Sequence, residues 1–353
     1  MQYNQLYIGW DLHTKDSMFA VLNANGNELD YSRMPTEEES ITQYLLRWDA
    51  QLNVAVEVGS MIHWAVDILK RISANYYVIN TSAFKLLTHS RKKTDRRDAY
   101  LMAYHYYKDN LPEPVFIPEQ RTIEVRTLLH ARLLAVKQSI MMMNSTRGLL
   151  KRIGFKFKDK YFKIPQNWQL LLESGLPDYL CNVVSNNYSI WYKQENAVVE
   201  YTNQLLQYFK DDDNFALLQT IPAIGPITAI AILASMDNIN RFANAGKLAS
   251  YFGLVPTVRQ SGERTHHGRI TKMGNSLVRR YLTEVTNSLI GNKFRLKYNK
   301  ECVILTKLKN GYYKLLNTRD SKNVAKVALA HKLVFIIYHV LKKGEAFNPN
   351  LWI

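Results

Sequence analysis

The chain has few of the residues that build disulfide or zinc frameworks, and few that interrupt regular structure. Its 353 residues include only two cysteines, Cys181 and Cys302, which lie far apart and form no CxxC pattern. That spacing argues against a zinc site and fits a reducing compartment. Ten prolines and 15 glycines, beside a hydrophobic content of 47%, indicate a globular chain rather than a disordered one. A chain of this length can form two or three domains, each with its own core.

Long hydrophobic runs are also lacking. The longest late run, LVFIIY at residues 333–338, is too short to cross a hydrocarbon layer about 30 Å thick. The N-terminus shows no charged start followed by an apolar segment and a cleavage site, so we expect no secretory leader. These two absences predict a cytoplasmic protein with no membrane partner.

Acidic residues are scarce in only one part of the chain. Residues 1–240 carry 25 basic and 25 acidic residues, whereas residues 241–353 carry 21 basic and five acidic residues, so the last third holds the whole net charge of +16. Such a one-sided excess favours a polyanionic partner, and nucleic acid is the first candidate. An acidic protein partner, or charge kept for solubility, is the alternative.

The first 108 residues have the pattern of a mixed α/β domain. Strands are predicted at residues 5–12, 17–23, 28–34, 53–58 and 76–80, and helices at 37–48, 61–72 and 95–107. The run NVAVEV at 53–58 is apolar enough to lie in the centre of a sheet. Three strands followed by alternating helices and strands is the order of the ribonuclease H fold, which we predict for residues 1–108.

Residues 109–213 are predicted to form a linker and two long helices. The proline-rich segment DNLPEPVFIP begins this part, and residues 119–153 and 187–209 have helical spacing. The first helix carries an apolar stripe, made of Val125, Leu128, Leu129, Leu133, Val136, Ile140 and Met143. Two such helices indicate an antiparallel coiled-coil arm suited to oligomerisation, with a helical bundle inside one protomer as the alternative.

Residues 214–353 are predicted to form a mostly α-helical domain that opens with a helix-hairpin-helix. The segment 217–236 reads as two helices joined by a short hairpin, Ile224-Gly225-Pro226. Hairpins of this kind present backbone N–H groups to a DNA phosphate at a helix N-terminus, which would make Gly225 a nucleic-acid contact. An ordinary turn between two helices is the alternative.

Four carboxylates lie where a metal-dependent nuclease would hold them. Asp11 and Glu57 each end an apolar strand, while Asp95 and Asp98 lie one turn apart on the same helix face. Oxygens that converge from different elements can hold one or two Mg²⁺ ions beside a phosphodiester, so we predict catalytic and metal-binding roles for all four. Nearby basic residues either hold a nucleic-acid backbone or form a solvated turn: Arg91, Lys92, Lys93, Arg96 and Arg97.

The second candidate site is Ser261, in a loop rich in glycine and arginine. A serine hydroxyl is a poor nucleophile unless a base, a cation or a metal activates it, so Ser261 either attacks a phosphate or merely hydrogen-bonds one. Gly262 follows it and permits close approach of a phosphate. The predicted nucleic-acid contacts around it are Arg259, Arg264, Arg269, Lys272, Arg279 and Arg280, with His266 and His267 in the same segment.

Eight segments together resemble the DEDD-type insertion-sequence transposases, also called bridge-RNA-guided recombinases, to which the pilin-gene DNA invertases are related. They occur in the order IGWDLH, VAVEVGS, KTDRRDA, IPAIGPITA, LASYFGLVP, QSG, GRITKMGNSLVRR and KKGEAFNP. The resemblance implies a RuvC-like N-terminal domain whose metal-binding set is Asp11, Glu57, Asp95 and Asp98. It also implies a C-terminal transposase domain with Ser261 as nucleophile. Two departures are Arg259, two residues before the serine, and the sequence GSMIHW after Glu57.

The resemblance also implies a reaction and its partners. Ser261 would attack a phosphodiester of double-stranded DNA, form a phosphoserine link and later release the strand to a new end, assisted by Mg²⁺. A structured guide RNA would pair with target and donor DNA, and the active oligomer would be a tetramer of two dimers with active sites assembled from different protomers. Three alternatives are a DNA invertase without guide RNA, a plain RuvC-like nuclease, and a non-enzymatic nucleic-acid-binding protein.

Overall fold

The structure, a computed structural model, describes residues 4–88, 95–261, 264–291 and 303–349. The chain divides into two compact units, Met1–Pro118 and Glu119–Ile353. The proline-rich segment belongs to the first unit, where the backbone N–H of Val115 donates a 2.8 Å hydrogen bond to the carbonyl of Val78. The predicted division into residues 1–108, 109–213 and 214–353 stays a prediction.

A five-stranded sheet forms the framework of the first unit. Its strands are β1 (Gln5–Leu12), β2 (Asp16–Asn23), β3 (Glu28–Pro35), β4 (Gln51–Glu57) and β5 (Asn75–Ile79). They lie side by side in the order β3-β2-β1-β4-β5. Strand β2 is antiparallel to both β1 and β3, whereas β1, β4 and β5 run parallel. The predicted mixed α/β domain is confirmed, and each predicted strand agrees with the observed one to within two residues at either end.

Helices cover both faces of this sheet. Helices α1 (Glu38–Leu46) and α2 (Ile62–Arg71) pack on one face, where Trp10 and Val54 are fully buried in the same core cluster as residues of both helices. On the other face lie α3 (Thr81–Thr88) and α4 (Asp95–Tyr107), whose Met102 is buried against Ala55. Helix α4 has the bounds that the sequence predicts, whereas α3 was not predicted.

Helix α4 rests directly on β1 at Gly9. A Cβ atom at Gly9 would lie 1.8 Å from the carbonyl oxygen of Ala99 and 2.8 Å from the backbone nitrogen of Ala103. Both alanines are fully buried, so small residues line the contact from the helix side as well. Because no side chain fits between them, strand and helix touch backbone to backbone. This contact lies two residues before Asp11 on the strand and one turn after Asp95 on the helix.

The second unit is mostly helical, as predicted. Its elements are α5 (Gln120–Arg152), α6 (Pro165–Leu172), α7 (Asp178–Tyr208), α8 (Asp213–Gln219), α9 (Pro226–Met236), α10 (Ala245–Tyr251), β6 (Pro256–Ser261), β7 (Arg264–Ile270), α11 (Ser276–Ile290), α12 (Val303–Arg319) and α13 (Lys322–Lys343). Helices α6 and α10 were not predicted. The prediction that α7 begins at residue 187 was wrong. The helix begins at Asp178, directly after Pro177, whose fixed φ suits the entry to a helix.

Helices α5 and α7 form a long antiparallel hairpin. The 33 residues of α5 correspond to about 50 Å. Hydrogen bonds between the two helices join partners whose numbers rise on one helix as they fall on the other, namely Arg132 to Thr202, Ser139 to Glu195 and Thr146 to Asn187. The antiparallel pairing predicted for these helices is therefore present.

The buried stripe of α5 differs from the predicted one at its centre. Ser139 and Thr146 are buried, whereas Ile140 is 43% exposed. From Ala135 to Leu150 the buried positions of α5 follow one another at spacings of three and four residues, which is the repeat of a coiled-coil seam. Polar side chains occupy two of these positions because each has a hydrogen-bonding partner on α7. The apolar pattern alone therefore misplaced Ile140 in the seam.

The second unit has two separate cores. One lies at the far end of the α5–α7 hairpin, where Phe162, Trp168 and Trp191 are buried together. The other joins the near ends of α5 and α7 to helices α8 to α13. The hairpin thus carries its own aromatic core in addition to its helix seam.

Helix α13 is long and apolar enough to cross a membrane by length and composition. However, 56% of its most apolar window is buried inside the protein, where it packs against α10, α11 and α12. The core helices of soluble proteins can have the same length and composition. The apolar segment is nevertheless longer than the run at 333–338 that the sequence indicates.

We expect Gly9→Ala to lower the free energy of unfolding by about 1–3 kcal/mol, because the new methyl group would collide with the α4 backbone. Urea unfolding of the full chain measures this change. Gly59→Ala is the matched control in the same unit, since a Cβ there meets nothing within 4 Å. Equal stability of the two variants would contradict the backbone contact at Gly9.

A candidate carboxylate metal centre and a basic hairpin

Two of the predicted carboxylates lie side by side at the ends of neighbouring strands. Trp10 on β1 is in register with Val56 on β4, so the next residues, Asp11 and Glu57, end the two parallel strands together. Each lies two residues beyond a position that contacts the α3–α4 layer, namely Gly9 and Ala55. Because side chains alternate along a strand, both carboxylates belong to the face that α4 covers.

The other two carboxylates come from the first turn of α4. Asp95 is the first residue of this helix and Asp98 lies one turn further. One oxygen of Asp11, one oxygen of Asp95 and one ring nitrogen of His13 all lie within 4.8 Å of one another. The structure therefore brings together atoms from the end of β1, the residue just past it and the start of α4.

Asp11 is the carboxylate of this group whose ionised form is disfavoured by its surroundings. Burial raises the pKa of the Asp11 carboxyl, and repulsion from Asp98, Asp95 and Glu57 raises it further, while His13 opposes the shift. All four predicted carboxylates are thus close enough to interact electrostatically. An incompletely neutralised set of carboxylate and imidazole donors that converge from separate elements fits a divalent cation.

His13 was not among the predicted site residues. Its Nε2 lies 3.2 Å from Oδ2 of Asp11, and its side chain is 51% exposed, against 15% for Asp11. The signal in the sequence was the spacing Asp11-Leu12-His13, which at the end of a strand directs both side chains to one face. The apolar run that ends at Asp11 marks only that carboxylate as a site residue, and His13 lies two positions beyond it.

A chain of hydrogen bonds holds the backbone at His13. The indole Nε1 of Trp10 donates to Oγ of Ser17 at 3.0 Å, and this oxygen lies 2.9 Å from Oγ1 of Thr36. The Thr36 hydroxyl donates to the carbonyl oxygen of His13 at 2.8 Å. Trp10 and Ser17 are fully buried, so the turn between β1 and β2 is tied to the core of the first unit.

The basic residues near α4 are only partly described. Arg91, Lys92 and Lys93 lie outside the described residues. Arg96 donates a 2.7 Å hydrogen bond to Glu28, and its guanidinium lies 5.0 Å from the centre of the Tyr31 ring. In this structure Arg96 is therefore held against β3 rather than pointed at the carboxylates.

The segment that carries Ser261 is a β-hairpin, and the loop expected there was wrong. Strands β6 and β7 pair antiparallel, with Ser261 opposite Arg264 and Arg259 opposite His266. Thr257, Val258 and Thr265 favour extended backbone, whereas the glycine and the charges had indicated a loop. Gly262 and the side chains of Arg259, Ser261, Arg264, His266 and His267 lie outside the described part of the chain.

Two glycines interlock at the base of this hairpin. A Cβ at Gly253 would lie 2.1 Å from the carbonyl oxygen of Met273, and one at Gly274 would lie 2.0 Å from that of Tyr251. Both glycines have a positive φ, +67° and +81° respectively. Only glycine fits these positions, so the end of α10 and the segment before α11 are locked backbone to backbone.

Arg279 fastens the same contact. Its Nη1 donates to the carbonyl oxygens of Phe252, Met273 and Gly274, each at 3.1 Å. Burial lowers the pKa of the Arg279 guanidinium. Arg279 thus anchors the base of the hairpin, and its predicted contact with nucleic acid stays a prediction. The adjacent Arg280 is paired with Glu284 on the same helix at 3.1 Å.

Three other predicted nucleic-acid contacts are at the surface. Arg269 on β7 and Lys272 after it are exposed. Gly225 is exposed at the start of α9, where a Cβ would meet nothing within 4 Å. Helix α8, a turn that ends at Gly225, and α9 follow one another along the chain, whereas the helix-hairpin-helix motif and its binding of DNA stay predictions.

Two family models match the chain. Residues 8–155, which include all four carboxylates, match a DEDD transposase model of the IS110 type, described as "Transposase". Residues 215–299, which include Ser261, match the model described as "Transposase IS116/IS110/IS902 family". The two matches therefore cover both candidate sites.

Similar whole proteins point the same way. The chain is 29% identical to the transposase for insertion sequence element IS1111A of Coxiella burnetii, over 72% of this chain and 68% of that protein. It is 22% identical to a probable family 20 transposase of Pseudomonas aeruginosa, over 84% of this chain and 86% of that one. It is also 23% identical to the pilin gene-inverting protein of Moraxella bovis, over 82% and 79%.

We expect Asp11→Asn to raise the thermal midpoint of the metal-free protein and to abolish its stabilisation by Mg²⁺. The amide removes a buried charge that three carboxylates repel, and it also removes a metal ligand. Thermal unfolding with and without Mg²⁺ measures both effects. Asp67→Asn, at an exposed position on α2, is the control that should keep the Mg²⁺ shift. A normal Mg²⁺ shift in Asp11→Asn would contradict the proposed metal centre.

We expect Arg279→Gln to lower the free energy of unfolding by about 1–2 kcal/mol, because it leaves carbonyls at the hairpin base without their donor. Arg280→Gln should cost at most about 0.5 kcal/mol, since it removes one exposed ion pair within a helix. Urea unfolding compares the two neighbours. Similar losses in both variants would mean that Arg279 is not an anchor.

Proposed function

Because the chain belongs to the IS110/IS116 family of transposases, we propose that it is the recombinase of an insertion sequence, which cuts and rejoins DNA. The convergence of Asp11, Asp95 and His13, with Glu57 and Asp98 close enough to affect Asp11, carries this proposal. The strand order and the DEDD model support a ribonuclease H-like, RuvC-like fold for the first unit. Its substrates are double-stranded target and donor DNA, in a bacterial or archaeal cytoplasm.

Ser261 is the proposed nucleophile. Its Oγ attacks a DNA phosphorus and loses its proton, while the bond from phosphorus to one sugar oxygen breaks and that oxygen takes up a proton. The strand is then held as a phosphoserine ester, so the energy of the broken bond is retained. A hydroxyl of another strand reverses the step and releases Ser261. The matched family model spans this residue, and the hairpin base holds its strand in place.

The carboxylate centre is proposed to bind the divalent cation on which phosphoryl transfer depends. Asp11, Glu57, Asp95 and Asp98 would hold one or two Mg²⁺ ions, which when bound supply positive charge to the phosphate oxygens. The carboxylates themselves orient the site, because they come from two strand ends and a helix that cannot move apart without opening the Gly9 contact. With no cation, the negative charge of the carboxylates would repel a DNA phosphate.

The last third of the chain is proposed to bind nucleic acid. It holds the whole excess of positive charge, and most of its described lysines are exposed, among them Lys272, Lys307 and Lys322. We propose that a phosphate backbone is contacted by Arg259, Arg264, Arg269, Lys272, Arg279 and Arg280, with Gly225. We also propose a structured guide RNA that selects target and donor by base pairing, so RNA that co-purifies should map beside the gene.

A tetramer built from dimers is the proposed active form, with active sites assembled from different protomers. The α5–α7 hairpin supports it, because apolar side chains project outward from helices whose seam is already filled. Leu134 and Met141 on α5 are 55% and 57% exposed, and Val199 on α7 is 60% exposed. Exposed apolar side chains on a long helical hairpin are suited to pairing with a second copy.

A second candidate function is DNA inversion without a guide RNA. The similarity to the pilin gene-inverting protein favours it, because that match covers most of both chains. Both functions use the same proposed serine chemistry and the same carboxylate centre. They differ in whether RNA is required, so removal of RNA from an active preparation separates them.

Ser261→Ala should abolish the covalent protein–DNA adduct and slow strand cleavage on the order of 10³-fold or more. The assay uses a plasmid that carries the gene with its flanking DNA and detects adducts that resist detergent. Ser250→Ala, at an exposed position on α10, is the control that should retain the adduct. Cleavage that survives in Ser261→Ala would leave a plain metal-dependent nuclease as the function.

A further inference from the structure

The imidazole of His13 lies inside the carboxylate centre, although no part of the proposed reaction uses it. We propose that His13 is a direct metal ligand and that it makes this centre prefer Mn²⁺ over Mg²⁺. The inference rests on the proposed metal-dependent function of Asp11 and Asp95. It adds a nitrogen donor to a set that otherwise offers only oxygen, which changes the class of cation that binds best.

The distances suit two neighbouring ligands of one ion. Nε2 of His13 lies 3.2 Å from Oδ2 of Asp11. Two ligands at right angles, with bonds of about 2.1–2.2 Å, lie roughly 3.0–3.1 Å apart. The Asp95 carboxylate offers a third donor within 4.8 Å of both atoms. One cation can therefore bind the three side chains with only small shifts.

The donor chemistry decides between cations. Mg²⁺ takes oxygen ligands almost exclusively and keeps much of its water, whereas imidazole suits transition metals. Mn²⁺ accepts carboxylate oxygens as Mg²⁺ does, and it is also the first of the divalent first-row transition ions that bind at mixed nitrogen and oxygen sites. A centre with two aspartates and a histidine thus favours Mn²⁺, while the same centre without the histidine has no such preference.

The backbone at His13 is fixed independently of any metal. The chain of hydrogen bonds from Trp10 through Ser17 and Thr36 ends on the His13 carbonyl, and Trp10 and Ser17 are fully buried. An ion pair between a half-exposed His13 and Asp11 would add little to the stability of the protein, because exposed ion pairs are weak. The backbone that carries the His13 imidazole is therefore held in place whether or not a cation is bound.

The test compares metal binding by the full chain and three variants. Mn²⁺ binding is followed by electron paramagnetic resonance, Mg²⁺ binding by competition, and direct ligation by the ¹⁴N coupling of bound Mn²⁺. His13→Gln keeps an oxygen donor but removes the imidazole. His130→Gln, at an exposed position on α5, is the matched histidine control. Asp11→Asn tests whether the bound ion occupies this centre at all.

We expect the wild-type chain to bind Mn²⁺ more tightly than Mg²⁺ and to show ¹⁴N coupling. His13→Gln should lose the coupling and weaken Mn²⁺ binding about tenfold or more, with less than about threefold change for Mg²⁺. His130→Gln should match the wild type. Coupling that persists in His13→Gln, or equal losses for both cations, would overturn the inference while Asp11→Asn still confirms the centre. Metal binding unaffected by Asp11→Asn would overturn the centre and the inference together.

Discussion

The backbone contact between β1 and α4 at Gly9 is the constraint on which the candidate metal centre depends. A sheet and a helix normally stand apart by the thickness of their side chains, but here the space admits no methyl group. The N-terminus of α4 therefore lies so close to the sheet that a carboxylate oxygen of Asp95 is within 4.8 Å of a carboxylate oxygen of Asp11. A wider gap would leave two carboxylates on the strands and two on the helix as separate groups. Gly9 thus matters for the centre because it lets α4 approach β1 and bring its aspartates to Asp11.

The close approach of α4 to β1 stabilises the structure at the buried alanines and destabilises it at the carboxylates. The buried alanines of α4 add apolar contact, whereas burial and the neighbouring carboxylates raise the pKa of Asp11, and the repulsion between the carboxylates favours their separation. Helix α4 is held by its packing against three strands, and that packing keeps the repelling groups together. Local instability at a site for a cation is the expected cost of preorganisation, since the ion then binds without rearrangement.

Much of the first unit could be predicted from the sequence, because buried strands and amphipathic helices leave regular apolar patterns. The four carboxylates were predicted from the ends of those patterns and from the family resemblance. His13 was missed because its position depends on a turn held by Thr36, a residue 23 positions away. The Ser261 hairpin was predicted as a loop for a similar reason, and the carbonyl contacts of Arg279 were not predicted, since charge indicates solvent or phosphate and cannot reveal three carbonyls from other segments.

The polar pairs inside the α5–α7 seam limit how the length of this hairpin can vary. Ser139 meets Glu195 and Thr146 meets Asn187, and each pair would be lost if one helix slid past the other by a single turn. The two pairs lie about one heptad apart on each helix. A related protein with a longer or shorter hairpin should therefore differ by whole heptads, gained or lost on both helices at once. Single-residue insertions should occur only outside the seam, near the aromatic tip.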